Sequence, residues 1–241
     1  LGVADTLRSL GVAIGCVAII GGLFSVRCPA DFIPEGWTPT KSRFSQGLDA
    51  DWHQMLKTPV FWSMWALLLC GAITGMMILS HAQSIGMNVM GLSAATAATG
   101  VAFLAFSNTS GRLLAGVLSD YLGRTRTLAL ALTSSIAGLT ALASASADTV
   151  PLFYAGLAAV GLSLGAFMGV YPGFTTQEFG SRHNSVNFAL MFMGFSLAGT
   201  VGPILMNQLQ TAGFSIACGA AAVIAAAGFL FIGLYRKQKL N

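Results

Sequence analysis

Runs of about 20 apolar residues without an internal charge constrain this chain more than any other feature. A helix rises 1.5 Å per residue, so a run of roughly that length crosses the hydrocarbon core of a bilayer. Seven spans can be read, at residues 10–26, 60–80, 92–117, 127–146, 151–171, 186–206 and 214–235, the third unusually long and carrying Arg112. Backbone groups in hydrocarbon must find their hydrogen bonds within the segment, so each run predicts a helix. An outer-membrane barrel would show short alternating strands instead. The expected fold class is therefore an all-α integral membrane protein.

Composition agrees. The 241 residues are 55% hydrophobic and 8% charged, against about a quarter charged in an ordinary soluble domain. The 29 glycines suit close helix packing in lipid and show no three-residue collagen period. The net charge of +4 reads as membrane topology. No basic cluster interleaves with aromatics, which argues against nucleic acid as a partner. Cys16, Cys70 and Cys218 lie in apolar runs and Cys28 in a polar segment, with no CxxC pair; all read as small packing residues. No His, Cys or carboxylate group has ligand spacing, so neither a metal nor a cofactor is expected.

Charge placement sets an orientation. With residues 27–59 on the cytoplasmic side and the spans alternating, Arg27, Lys41, Arg43, Lys57, Arg124, Arg126, Arg182, Arg236, Lys237 and Lys239 all fall inside. Outside the membrane only Arg8 remains, and the outer loops near 84–91, 148 and 208–213 carry no Lys or Arg. That split follows the positive-inside rule. It predicts a multi-pass protein of the cell's inner (plasma) membrane with a cytoplasmic C-terminus.

Residues 27–59 are polar, mix both charge signs and carry Pro29, Pro34 and Pro39, as a linker between bundles does. Three parts are expected: 1–26 as the last span of an N-terminal bundle, 27–59 as a cytoplasmic central linker, and 60–241 as a six-span C-terminal bundle. That is the later part of a twelve-span transporter layout. The chain opens at Leu1 without a methionine, so a missing N-terminal half of the same protein is an expected partner, alongside the lipid bilayer.

The loop after the third span reads Gly116-Val117-Leu118-Ser119-Asp120-Tyr121-Leu122-Gly123-Arg124-Thr125-Arg126. Gly123 suits a sharp turn with positive φ, Asp120 is placed to accept from N–H groups at a nearby helix start, and Arg124 and Arg126 anchor the turn at the inner face. The spacing resembles the G-x-L-x-D-x-x-G-R-x-R motif of the major facilitator superfamily. Narrower resemblance comes from three further stretches. They are Pro34-Glu35-Gly36-Trp37-Thr38-Pro39 with Trp52 to Trp62, Ser107-Asn108-Thr109-Ser110-Gly111-Arg112, and Gly194 to Pro203. These are similar to the oxalate/formate antiporter family, which is monocarboxylate-transporter-like. The resemblance covers nearly the whole chain. It implies a major facilitator helical bundle, spans six to twelve of that family's order, and alternating-access transport of a small organic anion by antiport or with proton coupling.

Arg112, with Asn108 and His81 as further candidates, is the main candidate substrate-binding residue. It lies eight positions before Asp120, so about 12 Å along a helix from the turn. A charge buried in lipid is costly and usually faces a cavity, and a guanidinium fork suits a carboxylate. The family resemblance implies the same role, since an arginine in helix eight binds the anion there in the N-x-x-G-R context. Monocarboxylate transporters carry an aspartate where this chain has Asn108. Oxalate transporters add a lysine in helix eleven, whereas this chain has no Lys or Arg between Arg182 and Arg236. A single cation balances one carboxylate better than two. The alternative is that Arg112 snorkels to the inner interface.

His81 and Gln83 close the second span beside Ser80, either lining the outer mouth of the pathway and carrying a proton or resting at headgroup level. Gly161, Gly165, Gly169 and Gly173 form a stripe for close helix approach. Tyr171-Pro172 is expected to end the fifth span, and Gly202-Pro203 to loosen the sixth. Trp62, Trp65, Phe192 and Phe195 read as interface, packing or wall residues. Rival functions are a passive channel, a carrier of an unrelated metabolite, and an intramembrane enzyme. The sequence shows no filter loop for a channel. For an enzyme it offers only Ser80 and His81, adjacent positions that do not face each other on a helix.

Overall fold

The structure, a computed structural model, describes residues 2–25, 32 and 49–240. Most of the expected linker, including Cys28 and its three prolines, lies outside the described residues. The chain forms two compact units, Leu1–Ser42 and Arg43–Asn241. The first holds helix α1 (Val3–Phe24), with an Asp5–Arg8 ion pair of 4.0 Å in its opening turns.

The second unit contains a short helix α2 (Trp52–Leu56) and six long ones: α3 (Pro59–Asn88), α4 (Ala94–Leu122), α5 (Arg124–Ser144), α6 (Val150–Phe179), α7 (Asn184–Leu209) and α8 (Phe214–Leu240). With α1, seven helices are long and apolar enough to cross a membrane. Most exceed the apolar runs by a turn or more, because capping chemistry rather than hydropathy sets their ends. Thr58 caps α3 by accepting from Phe61 N at 3.2 Å, with Pro59 in the first turn. Ser93 does the same for α4 through Thr96 N at 3.2 Å. Gly123, at φ +85°, both ends α4 and starts α5, a backbone state open to glycine and strained for other residues.

The expected end of the fifth span moves, and the sixth is one continuous helix. α6 continues through Pro172 to Phe179 and stops at Gly180 (φ +84°) rather than at Tyr171. Pro172 removes one helical hydrogen bond, but the flanking residues hold the helix. Tyr171 is fully buried with its hydroxyl on Met64 O at 2.7 Å, and the Thr175 and Thr176 hydroxyls donate to the Tyr171 and Pro172 carbonyls at 2.9 and 3.0 Å. α7 likewise runs unbroken through Pro203. There Gly202 serves packing: a Cβ would meet Met76 Cβ at 2.9 Å and Ile73 O at 3.1 Å on α3.

α3 and α6 form the buried centre of the bundle. α4 and α5 pack on α6, α7 and α8 pack on α3, and α8 also packs on α5. The end carrying the α4–α5 turn, called the motif end below, has its own core of Met55, Phe61, Met64, Phe167, Tyr171, Phe174 and Met191. A second cluster around Met77, Ile78, Phe153, Leu157, Met206 and Cys218 fills the opposite end.

The last ten residues of the expected linker are part of this bundle. Ala50 N donates to Phe179 O at 3.0 Å, and the buried Asn187 side chain donates to Ala50 O at 2.9 Å. Asp51 and Gln54 form a reciprocal capping box on α2, which places Met55 in the core.

Candidate functional site

α4 presents two different exposed faces. Phe103, Phe106, Leu113 and Val117 occupy one, at 40%, 69%, 71% and 61% exposure, as lipid-facing side chains do. Val101, Ala105, Asn108 and Arg112 recur at four-, three- and four-residue steps on another, roughly 145° away around the helix. On that small and polar face the Arg112 Nε–H donates to Asn108 Oδ1 at 3.2 Å. Among the described residues Arg112 has no carboxylate partner; the ion pairs are Arg8–Asp5, Arg124–Asp120 and Lys239–Glu178. The guanidinium is thus oriented through one nitrogen while its other donors stay available for an anion.

The backbone beneath this pair is held by the glycine stripe of α6. A Cβ on Gly161 would lie 2.8 Å from Leu104 O, and one on Gly169 would lie 2.5 Å from Arg112 O and 3.0 Å from its Cα. Gly165 sits against the Asn108 carbonyl in the same way. The reverse contact is made by Gly111, against Leu162 O. Only glycine lets the two helix backbones approach so closely, so the stripe fixes where Asn108 and Arg112 stand.

The fourth glycine of the stripe serves the turn motif. A Cβ on Gly173 would lie 2.9 Å from Arg124 Nη2. The Arg124 guanidinium donates to Ser119 Oγ, and its Nη2 lies 3.4 Å from Asp120 Oδ1. Asp120 therefore does not cap the start of α5, which has no side-chain cap; its carboxylate is 70% exposed and pairs with Arg124 instead. Arg126 is exposed, and nothing lies within 4 Å of a Cβ built on Gly116. Ser119 and Gly173 were not legible as partners of the motif, although the four-residue spacing of the stripe points at Gly173.

The structure brings Asn108 and Arg112 together and places His81 elsewhere. Arg112 is ten residues from the motif end of α4, about 15 Å by helical rise, while His81 is seven residues from the opposite end of α3, about 10 Å. Some 15 Å therefore separates them along the bundle. α3 continues two turns beyond His81, so the helix itself does not end there. Its Nε2 lies 2.8 Å from Asn207 Oδ1 on α7, and its Nδ1 lies 2.8 Å from Ser80 Oγ. The adjacent Ser80 and His81 do meet, because the short serine hydroxyl folds back to the Met76 carbonyl at 2.8 Å and so lies beside the next residue's ring. The other ring nitrogen meets the Asn207 amide, which ties α3 to α7.

One buried charge went unrecognised. Glu178, placed by its sequence at a span edge, lies in the last turn of α6 with a side chain only 3% exposed. It accepts from Lys239 at 2.7 Å and from the Tyr235 hydroxyl at 2.8 Å. This ties the end of α8 to the end of α6. No cluster of His, Cys, Asp or Glu suited to a metal occurs among the described residues.

A bundle of long apolar helices with an arginine oriented on a polar face of one of them has the form of a membrane carrier. The Major Facilitator Superfamily profile matches residues 4–203 and 98–240, and the chain belongs to that family. It is 27% identical over 144 residues to the uncharacterized MFS-type transporter YhjX of Escherichia coli, covering 60% of this chain and 36% of that protein. It is 24% identical over 163 residues to the oxalate:formate antiporter of Oxalobacter formigenes, covering 66% and 38% respectively. An uncharacterized 38 kDa protein in the 23S RNA operon of Thermoproteus tenax is 30% identical over 173 residues, covering 70% and 43%. The chain thus spans less than half the length of the relatives it matches. Membership places the chain in a family of multi-pass membrane transporters.

Proposed function

We propose that this chain is the C-terminal part of a secondary transporter for small organic anions, with Arg112 as the residue that binds the substrate carboxylate. The observation that carries this reading is the Asn108–Arg112 pair, held on the small-residue face of α4 away from the large lipid-facing side chains. A guanidinium left in lipid costs several kcal/mol; facing a pathway, its fork matches a carboxylate. Asn108 orients the fork without neutralising it. α1 is then the last span of an N-terminal half, residues 27–59 connect the halves in the cytoplasm, and the C-terminus lies on the same side.

The Gly116–Arg126 turn governs the change between inward- and outward-open states, with Asp120 and Arg126 exposed toward the other half. Exchange needs no titrating group, because a second carboxylate can neutralise Arg112 on the return step. Proton coupling would have to use His81 or the other half, since no Asp or Glu lies near Arg112 on α4. The test is uptake of labelled carboxylates by full-length protein in liposomes. Arg112→Lys keeps the charge but loses the fork and should weaken binding, and Arg112→Ala should abolish it. Normal affinity and rate in a correctly inserted Arg112→Ala protein would remove the assignment.

A further inference from the structure

Residues 58 to 111, 127 to 181 and 183 to 235 contain no lysine or arginine, so Arg112 is the one cation within the embedded part of this bundle. The tail of a substrate held by Arg112 must then meet α3, α6 or α7 without a second positive charge. At the corresponding depth these helices offer aromatic rings. Trp65 stands six residues into α3, about 9 Å from the motif end; Phe192 stands eight residues into α7, about 12 Å; Arg112 lies at about 15 Å.

Both rings lie on faces that the bundle leaves partly open. On α3 the less buried positions include Trp65, Leu69, Met76 and Gln83, which share one face at steps of four, seven and seven. On α7 the exposed Val186, Met193, Leu197 and Ile204 share one face. Phe192, Ser196, Gly199, Pro203 and Asn207 follow another face, and the bond from Asn207 to His81 puts that face beside α3. The rings are also held in place. Phe192 stacks on Phe195 with centroids 4.8 Å apart and planes 14° apart, and Phe188 lies tilted against it at 5.3 Å. Trp65 crosses α7 at Gly194, where a Cβ would lie 3.2 Å from Nε1. Its neighbour Trp62 gives its indole N–H to Leu56 O at 3.0 Å, whereas the Trp65 N–H has no such partner among the described residues.

We infer that Trp65 and Phe192 are specificity-determining residues, forming an aromatic wall across from Arg112 that selects a monocarboxylate with a flat, π-bearing tail over a dicarboxylate. This rests on the proposed carboxylate role of Arg112. A rigid ring pair offers stacking to a planar tail, and the indole N–H offers one hydrogen bond to an oxygen on it. A second carboxylate would be left there desolvated with no cation.

The experiment uses full-length protein in liposomes and three probes: benzoate, acetate and oxalate. The wild-type protein should prefer benzoate. Phe192→Leu should raise the KM for benzoate about three- to tenfold and leave that for acetate within about twofold. Phe192→Lys should move the preference toward oxalate. If Phe192→Leu does not insert, Phe192→Met makes the same test at similar volume. Trp65→Phe keeps a ring and should preserve the benzoate preference, whereas Trp65→Leu should reduce it. A wild-type preference for oxalate, or variants that change all three KM values equally, would overturn the wall. If Arg112→Ala abolishes transport while the ring variants keep the wild-type order, the wall alone is lost. If Arg112→Ala transports normally, the carboxylate site itself is lost.

Discussion

Replacing Gly169 with alanine tests how the glycine stripe positions Arg112. The new methyl would lie 2.5 Å from the Arg112 carbonyl oxygen, about 1 Å inside an ordinary contact of ~3.5 Å. The obstruction is backbone, which cannot rotate aside, so α4 must move away from α6 by a comparable distance. Overpacking of this kind costs about 1–3 kcal/mol. For a unit of this size each kcal/mol lowers the Tm by about 2–4 °C, so a fall of about 2–12 °C is expected in detergent, read by loss of the monodisperse species on heating. The displacement also carries Asn108 and Arg112 with it, so the KM for the carboxylate should rise while the protein still inserts. Gly219→Ala on α8 is the control, since nothing lies within 4 Å of its Cβ, and it should hold or raise the Tm. A Gly169→Ala protein with unchanged Tm and KM would show that α4 and α6 do not pack through this stripe.

Other perturbations separate stability from transport. Asp120→Asn removes only a largely exposed pair and should leave the Tm nearly unchanged; it should slow exchange without reordering substrates, and a new preference order at an unchanged rate would contradict that role. Gly116→Ala meets no atom of this bundle, so a slowed exchange rate with an unchanged Tm is expected from uptake and melting measured together. Lys239→Met leaves the buried Glu178 with only Tyr235, whereas Lys239→Met with Glu178→Gln removes both charges. Melting should find the double variant more stable than the single one, as expected when a buried ion loses its partner. His81→Leu breaks the α3–α7 contact some 15 Å from Arg112, so the KM for the carboxylate should stay within about twofold while the exchange rate changes.

The spans were readable because lipid leaves little choice: an uncharged run of sufficient length must be helical. Hydropathy, however, marks only the hydrocarbon core. The ends at Asn88 and Phe179 depend on caps and on burial of Tyr171 and Phe174, which an apolar window does not register. Pro172 looked like a terminator because its local cost is visible in the sequence and the packing that overrides it is not. The ion pair of Glu178 was not visible because its partner Lys239 is 61 positions away, and the docking of Ala50 depends on Asn187, 137 positions away. Asn108 and Arg112 were legible as a pair because four residues on a helix bring side chains together. The role of Gly165 and Gly169 in setting their backbone emerges only when α6 is laid against α4. Gly123 was legible for a local reason, its positive φ.

The most direct measurement of the central claim is counterflow of a labelled small carboxylate into liposomes preloaded with the same unlabelled compound, using full-length protein and its Arg112→Ala variant. The account predicts rapid accumulation that depends on internal carboxylate in the wild-type protein and is absent in a variant that inserts normally. Undiminished counterflow in Arg112→Ala, at the wild-type KM, would contradict it.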